Sequence, residues 1–97
     1  MFEIEFTPEA RDDLKGLKKS QQIQILDAID QQLRYEPTVE TRNRKRLRPN
    51  LIAEWELRIG RFRVFFNVEQ PVSIVSIEAI GFKIGNLFYV RGEKREL

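Results

Sequence analysis

The chain holds 97 residues, 41% of them apolar and 33% charged, the make-up of one soluble globular unit with a single two-layer core. A net charge of +2 excludes a global nucleic-acid signature, so electrostatic recognition has to come from local clusters. Cysteine and histidine are both absent, which excludes disulfides, thiolate nucleophiles, sulfur metal ligands and imidazole acid–base chemistry.

Phe2-Glu3-Ile4-Glu5-Phe6 alternates with period 2 and predicts a first strand with Phe2, Ile4 and Phe6 buried. No basic region with an apolar run follows Met1, and no stretch approaches the ~18 apolar residues of a membrane span, so a cytoplasmic protein is expected. Thr7 is a good N-cap and Pro8 fits the first helical position. Glu9, Asp12 and Asp13 then sit near the positive end of the helix dipole. Helix 1 is expected from Pro8 to about Lys18, with Ala10, Leu14 and Leu17 as its apolar stripe. Ser20 is the expected N-cap of helix 2, in which Ile25, Leu26, Ile29 and Leu33 recur at helical spacing up to about Tyr35. The short connection predicts a helical hairpin, which Pro37 ends.

From Thr38 to Asn50 the chain reads as a basic loop holding Arg42, Arg44, Lys45, Arg46 and Arg48. Two alternating strands follow, joined by a turn at Gly60-Arg61. Pairing Ile59 with Phe62 puts Leu57 opposite Val64, Arg58 opposite Arg63, and Glu56 opposite Phe65. Trp55, Leu57, Ile59, Phe62, Val64, Phe66 and Val68 then share a core face. Glu54, Glu56, Arg58, Arg63, Phe65 and Asn67 share the other. Facing guanidinium groups repel, so this register calls for a carboxylate or an external anion between them. Gln70-Pro71 makes a turn, and Val72 to Ile80 predicts a long strand with Val75, Ile77 and Ala79 on one side. Phe82 to Tyr89 reads as a loop or short helix around Gly85, and Arg91 to Leu97 as a charged, fraying tail. The class is α+β: a mostly antiparallel four-stranded sheet in the order β-α-α-β-β-β, with a helical hairpin on one face and the other open, spanning residues 1–97 as one domain.

The basic loop enters the strand that carries Arg58, so Arg42, Arg44, Lys45, Arg46, Arg48, Arg58 and Arg61 form the expected polyanion-binding set. An acidic protein segment is the alternative ligand. Glu54 and Glu56, on the open face, could divide acid and base roles, but solvent exposure is the commoner fate of such glutamates. Phe65 and Tyr89 are candidate stacking surfaces, Phe65 with packing beneath the C-terminal segment as its other reading. No metal site or cofactor is expected.

The element order, Pro37, the run Leu47-Arg48-Pro49-Asn50, the motif Trp55-Glu56-Leu57-Arg58-Ile59-Gly60, the strand Phe62-Arg63-Val64-Phe65-Phe66, and Ile80-Gly81-Phe82-Lys83 with Tyr89 together resemble the RelE/ParE superfamily of bacterial type II toxins. For RelE-like members the resemblance implies a metal-independent endoribonuclease that cleaves mRNA on the ribosome and is held in check by a cognate antitoxin. For ParE-like members it implies a poison of DNA gyrase. A non-toxic binding protein on the same fold is a third reading. Under the leading, RelE-like reading Arg63 matches the arginine that stabilises charge on the scissile phosphate. Lys83 stands where an arginine is usual, and Tyr89 matches the tyrosine that positions the nucleotide. Glu54 and Glu56 stand at or near two lysines of that pattern, and Glu56 could act as the base. Carboxylates facing a phosphodiester at ~4 Å, with an effective dielectric of ~20, each oppose it by about 4 kcal/mol before screening.

Overall fold

The computed structural model describes residues 1–95. Strand β1 (Glu3–Phe6) leads into helices α1 (Pro8–Lys15) and α2 (Lys19–Leu33). Six strands follow: β2 (Arg44–Arg46), β3 (Trp55–Ile59), β4 (Phe62–Glu69), β5 (Ile74–Ile84), β6 (Leu87–Val90) and β7 (Glu93–Arg95). They form one seven-stranded sheet in the order β2-β3-β4-β5-β6-β7. The first strand pairs with β5 in parallel, and every other pairing is antiparallel. The four expected strands are present as β1, β3, β4 and β5; three short ones extend the sheet.

Local chemistry sets the helix limits. Thr7 Oγ1 accepts from the Ala10 amide at 3.1 Å and so caps α1. This helix stops at Lys15 rather than Lys18, because Gly16 turns the chain and donates its amide to Asp12 O. Helix α2 begins at Lys19, ahead of the expected Ser20 cap. The Lys18 amide donates to Gln21 Oε1, and Gln22 Nε2 reaches back to Leu17 O, which satisfies the entry without serine. It ends at Leu33, where Arg34 O instead accepts from the Phe2 amide just ahead of β1.

Gly60 adopts φ +57°, as the first position of a two-residue hairpin turn demands, and β3 and β4 pair in the register expected from sequence. Trp55, Leu57, Ile59, Phe62, Val64 and Phe66 therefore pack beneath the helices with Ile25, Ile29 and Leu33. The Trp55 and Phe66 rings stack at 6.1 Å.

Strand β5 departs from simple alternation. A bulge lies between Phe65 and Phe66, which pair with Ala79 and Ile77, so Glu78 is the extra residue. Val75 and Ile77 face the helices as expected, but Ala79 faces the opposite side, and Ile80 returns to the helix side. The orphaned Ile80 amide donates to Asp13 Oδ2 at 3.0 Å, which fastens α1 to the bulge.

The second face is not open. Phe65, Ala79, Phe88, Val90 and Ala53 form a second small core, with Leu47 and Ile52 against it. The segment expected to be a loop or short helix is instead the end of β5, a Gly85-Asn86 turn and β6. Part of the expected tail is β7; residues 96 and 97 lie outside the described range. Gly81 is where β6 crosses closely. A Cβ there would overlap Tyr89 O and lie 3.0 Å from Val90 Cγ2, so only glycine lets the C-terminal hairpin settle over Phe65.

Candidate functional site: a cationic groove over the second sheet face

The two arginines that oppose each other across β3 and β4 share an internal counterion. Glu56, whose side chain is 2% exposed, places Oε2 2.9 Å from Arg58 Nε and 3.2 Å from Arg63 Nε. The gap that a phosphate would suit is thus filled by a carboxylate of the same sheet. Arg63 is 10% exposed and spends Nη1 on two carbonyls of the hairpin turn, Gly60 O at 2.8 Å and Phe62 O at 2.9 Å. Its Nε faces Glu56 without the alignment of a hydrogen bond. Burial, the largest influence, pushes the Arg63 pKa below its ordinary value. The Glu56 carboxylate pulls it up, and the Arg58 charge pushes it down again.

Above this triad lies a groove of about 410 Å³. Its lining brings together Lys45, Arg46, Arg48, Arg58 and Lys83 with Glu56, Asn86 and Phe88. Lys45 is opposite Glu56 in the β2–β3 register, and Lys83 Nζ lies 5.6 Å from the Phe88 ring centre. One carboxylate already shared by two arginines faces four further cations, Lys45, Arg46, Arg48 and Lys83, so the floor attracts anions. Phosphate oxygens or the carboxylates of an acidic peptide fit it equally by charge.

Several expected site residues lie elsewhere. Arg44 is buried on the helix side, where it donates to Val39 O at 3.0 Å and to Gln32 O, and so ties off the end of α2. It is a structural cap and not a surface cation. Arg61 holds its guanidinium over the Phe62 ring at 5.7 Å, and Arg42 is exposed outside the groove lining. Arg46 sits over Trp55 at 5.6 Å and pairs with exposed Glu54 at 3.6 Å, at the groove margin.

Tyr89 is the larger correction. It pairs with Phe82 and stacks on that ring at 5.5 Å. Phe82 in turn pairs with Phe62 of the helix-side core. Tyr89 therefore lies on the opposite sheet face from Lys83, Glu56 and Arg63. The two-residue turn sets this: Lys83 faces Phe88, and the next position along β6 must point away. Sequence reading missed Asn86 and Phe88 as groove residues. The Gly85-Asn86 dipeptide between apolar runs was the available hairpin signal.

The family model for the ParE toxin of type II toxin–antitoxin systems, parDE, matches residues 4–81. The chain belongs to that family. It is accordingly the toxin component of such a system. Lys83, Tyr89 and the C-terminal hairpin lie past the end of the ParE match. A comparison with curated proteins finds no match. Among solved structures, the toxin–antitoxin complex RelBE2 from Mycobacterium tuberculosis has a chain with the same fold. The TM-score is 0.72 at 24% identity, over 84% of this chain and 98% of that one. The superfamily expected from sequence is therefore correct, and so is the α+β arrangement.

Proposed function

We propose that this ParE-family toxin acts by binding and inhibiting DNA gyrase, with the cationic groove as part of its target surface, and that it does not cleave RNA. The observation that carries this reading is the division of the nuclease constellation: Tyr89 lies across the sheet from Lys83 and Arg63. Cleavage by 2′-hydroxyl attack needs a base and cations converging on one phosphate. Glu56 as that base would first have to leave two arginines, and Arg63 already spends Nη1 on the turn. A groove that attracts anions without assembling these groups suits recognition better than catalysis. The same charge supports a cognate antitoxin whose acidic segment covers the groove and keeps the toxin from its target.

Purified protein added to a DNA supercoiling reaction tests this. Gyrase inhibition is expected, reduced at least tenfold by the pair Lys45→Gln and Lys83→Gln. Ribosome-bound mRNA cleaved by the protein, with cleavage lost on Arg63→Ala, would overturn the reading in favour of the endoribonuclease.

A further inference from the structure

The segment between β2 and β3 is braced by one side chain. Asn50 uses both ends of its amide: Oδ1 accepts from the Ile52 amide at 2.7 Å and the Ala53 amide at 3.0 Å. Its Nδ2 donates to Arg48 O at 2.7 Å and Ala53 O at 2.8 Å. Four bonds from one side chain freeze a short loop. Ile52 and Ala53 turn inward against Phe65. Leu51, between the braced asparagine and the packed isoleucine, is 97% exposed, well above Met1 at 79%.

Leu51 crowns a ridge with a cleft on either side. One cleft, of about 440 Å³, is lined by Arg46, Arg48, Glu54 and Asn67 along with the loop. The other, of about 310 Å³, is lined by Thr7, Glu9, Glu78, Arg91 and Arg95 along with Leu51 and Ile52. A convex apolar tip held in one conformation, with charges of both signs on either flank, has paid its ordering cost before any partner arrives. We propose that Leu51 is an anchor residue that inserts into an apolar pocket with an acidic rim on the toxin's protein target, the rim facing Arg46 and Arg48. A protein fits better than duplex DNA, into which leucine can also wedge. Both clefts mix signs, Glu54 with Arg46 and Arg48 in one and Glu9 and Glu78 with Arg91 and Arg95 in the other, which matches the mixed charge of a protein surface better than the uniform phosphates of a duplex.

The proposal rests on gyrase as the target, and its test separates the two. Leu51→Ser and, as a control, Val72→Ser, an exposed apolar residue outside both clefts, are compared with wild type for thermal unfolding and supercoiling inhibition. Unchanged unfolding is expected, with a roughly thirtyfold or greater rise in the inhibitory concentration for Leu51→Ser alone, as truncation of an interface anchor gives. Equal inhibition by Leu51→Ser and wild type overturns the anchor. A wild-type protein that leaves gyrase untouched overturns the proposed target instead. The anchor is then judged by growth arrest on induction: arrest kept by Leu51→Ser refutes it, and arrest lost by that variant alone supports it. Weaker binding of Leu51→Ser to linear duplex DNA alone would overturn the protein partner in favour of a DNA wedge.

Discussion

Replacing Glu56 by glutamine removes one charge and almost no volume, and it acts on the ion pairs that tie β3 to β4 on the second face. In the native protein Oε2 serves Arg58 and Arg63 together, with the glutamate 2% exposed. Removing one partner of a buried ion pair typically costs about 3–5 kcal/mol. Arg58 is 41% exposed and so partly screened, while glutamine still offers an oxygen to one arginine. These discounts bring the expected loss to about 2–3 kcal/mol. For a domain of this length that lowers the unfolding midpoint by about 10–20 °C. Circular dichroism of urea and thermal unfolding measures it. The cause has a second signature. With Glu56 neutral, the arginine pair becomes a vacant anion site, so phosphate or sulfate should stabilise Glu56→Gln more than wild type when chloride at equal ionic strength is the reference. A variant within about 0.5 kcal/mol of wild type and indifferent to the anion would refute this account of the triad.

Three further outcomes are expected. Gly81→Ala drives a methyl group into Tyr89 O and should cost about 1–3 kcal/mol while freeing the C-terminal hairpin, seen as faster amide exchange in β6 than in β1. Arg44→Met keeps the apolar stem but leaves Gln32 O and Val39 O without their donor, a loss of about 1–3 kcal/mol by chemical denaturation. Asn50→Ala removes all four braces of the ridge and should lower stability by about 1–3 kcal/mol while raising proteolytic nicking near Leu51.

The central hairpin was legible in the sequence because its alternation and Gly60 point to one register, and the register delivers the arginine pair directly. The helical hairpin was legible from Thr7, Pro8 and the spacing of Ile25, Ile29 and Leu33. The bulge was not. One extra residue at Glu78 leaves no local composition mark, yet it sends Ala79 to the second face and so builds the core that covers Phe65. Arg44 looked like its basic neighbours, and only the three-dimensional return of β2 to the end of α2 shows it as a cap. The site suffered most at the C-terminal end. Reading Gly85 as a chain break, and not as half of a Gly-Asn turn, lost β6. With it went the face to which Tyr89 belongs.

The chain carries one tryptophan. Trp55 lies wholly in the helix-side core, stacked on Phe66, while the second core holds Phe65 and Phe88, which contribute little emission beside it. Intrinsic fluorescence therefore follows the loosening of one hydrophobic cluster and is nearly blind to the other. The two clusters touch opposite faces of the same strands, so a single cooperative transition requires emission and far-ultraviolet ellipticity to coincide. Amide exchange in β6 that runs ahead of both signals would mean that the cluster under the C-terminal hairpin melts as a unit of its own, with the toxin's groove dismantled while its helices still hold.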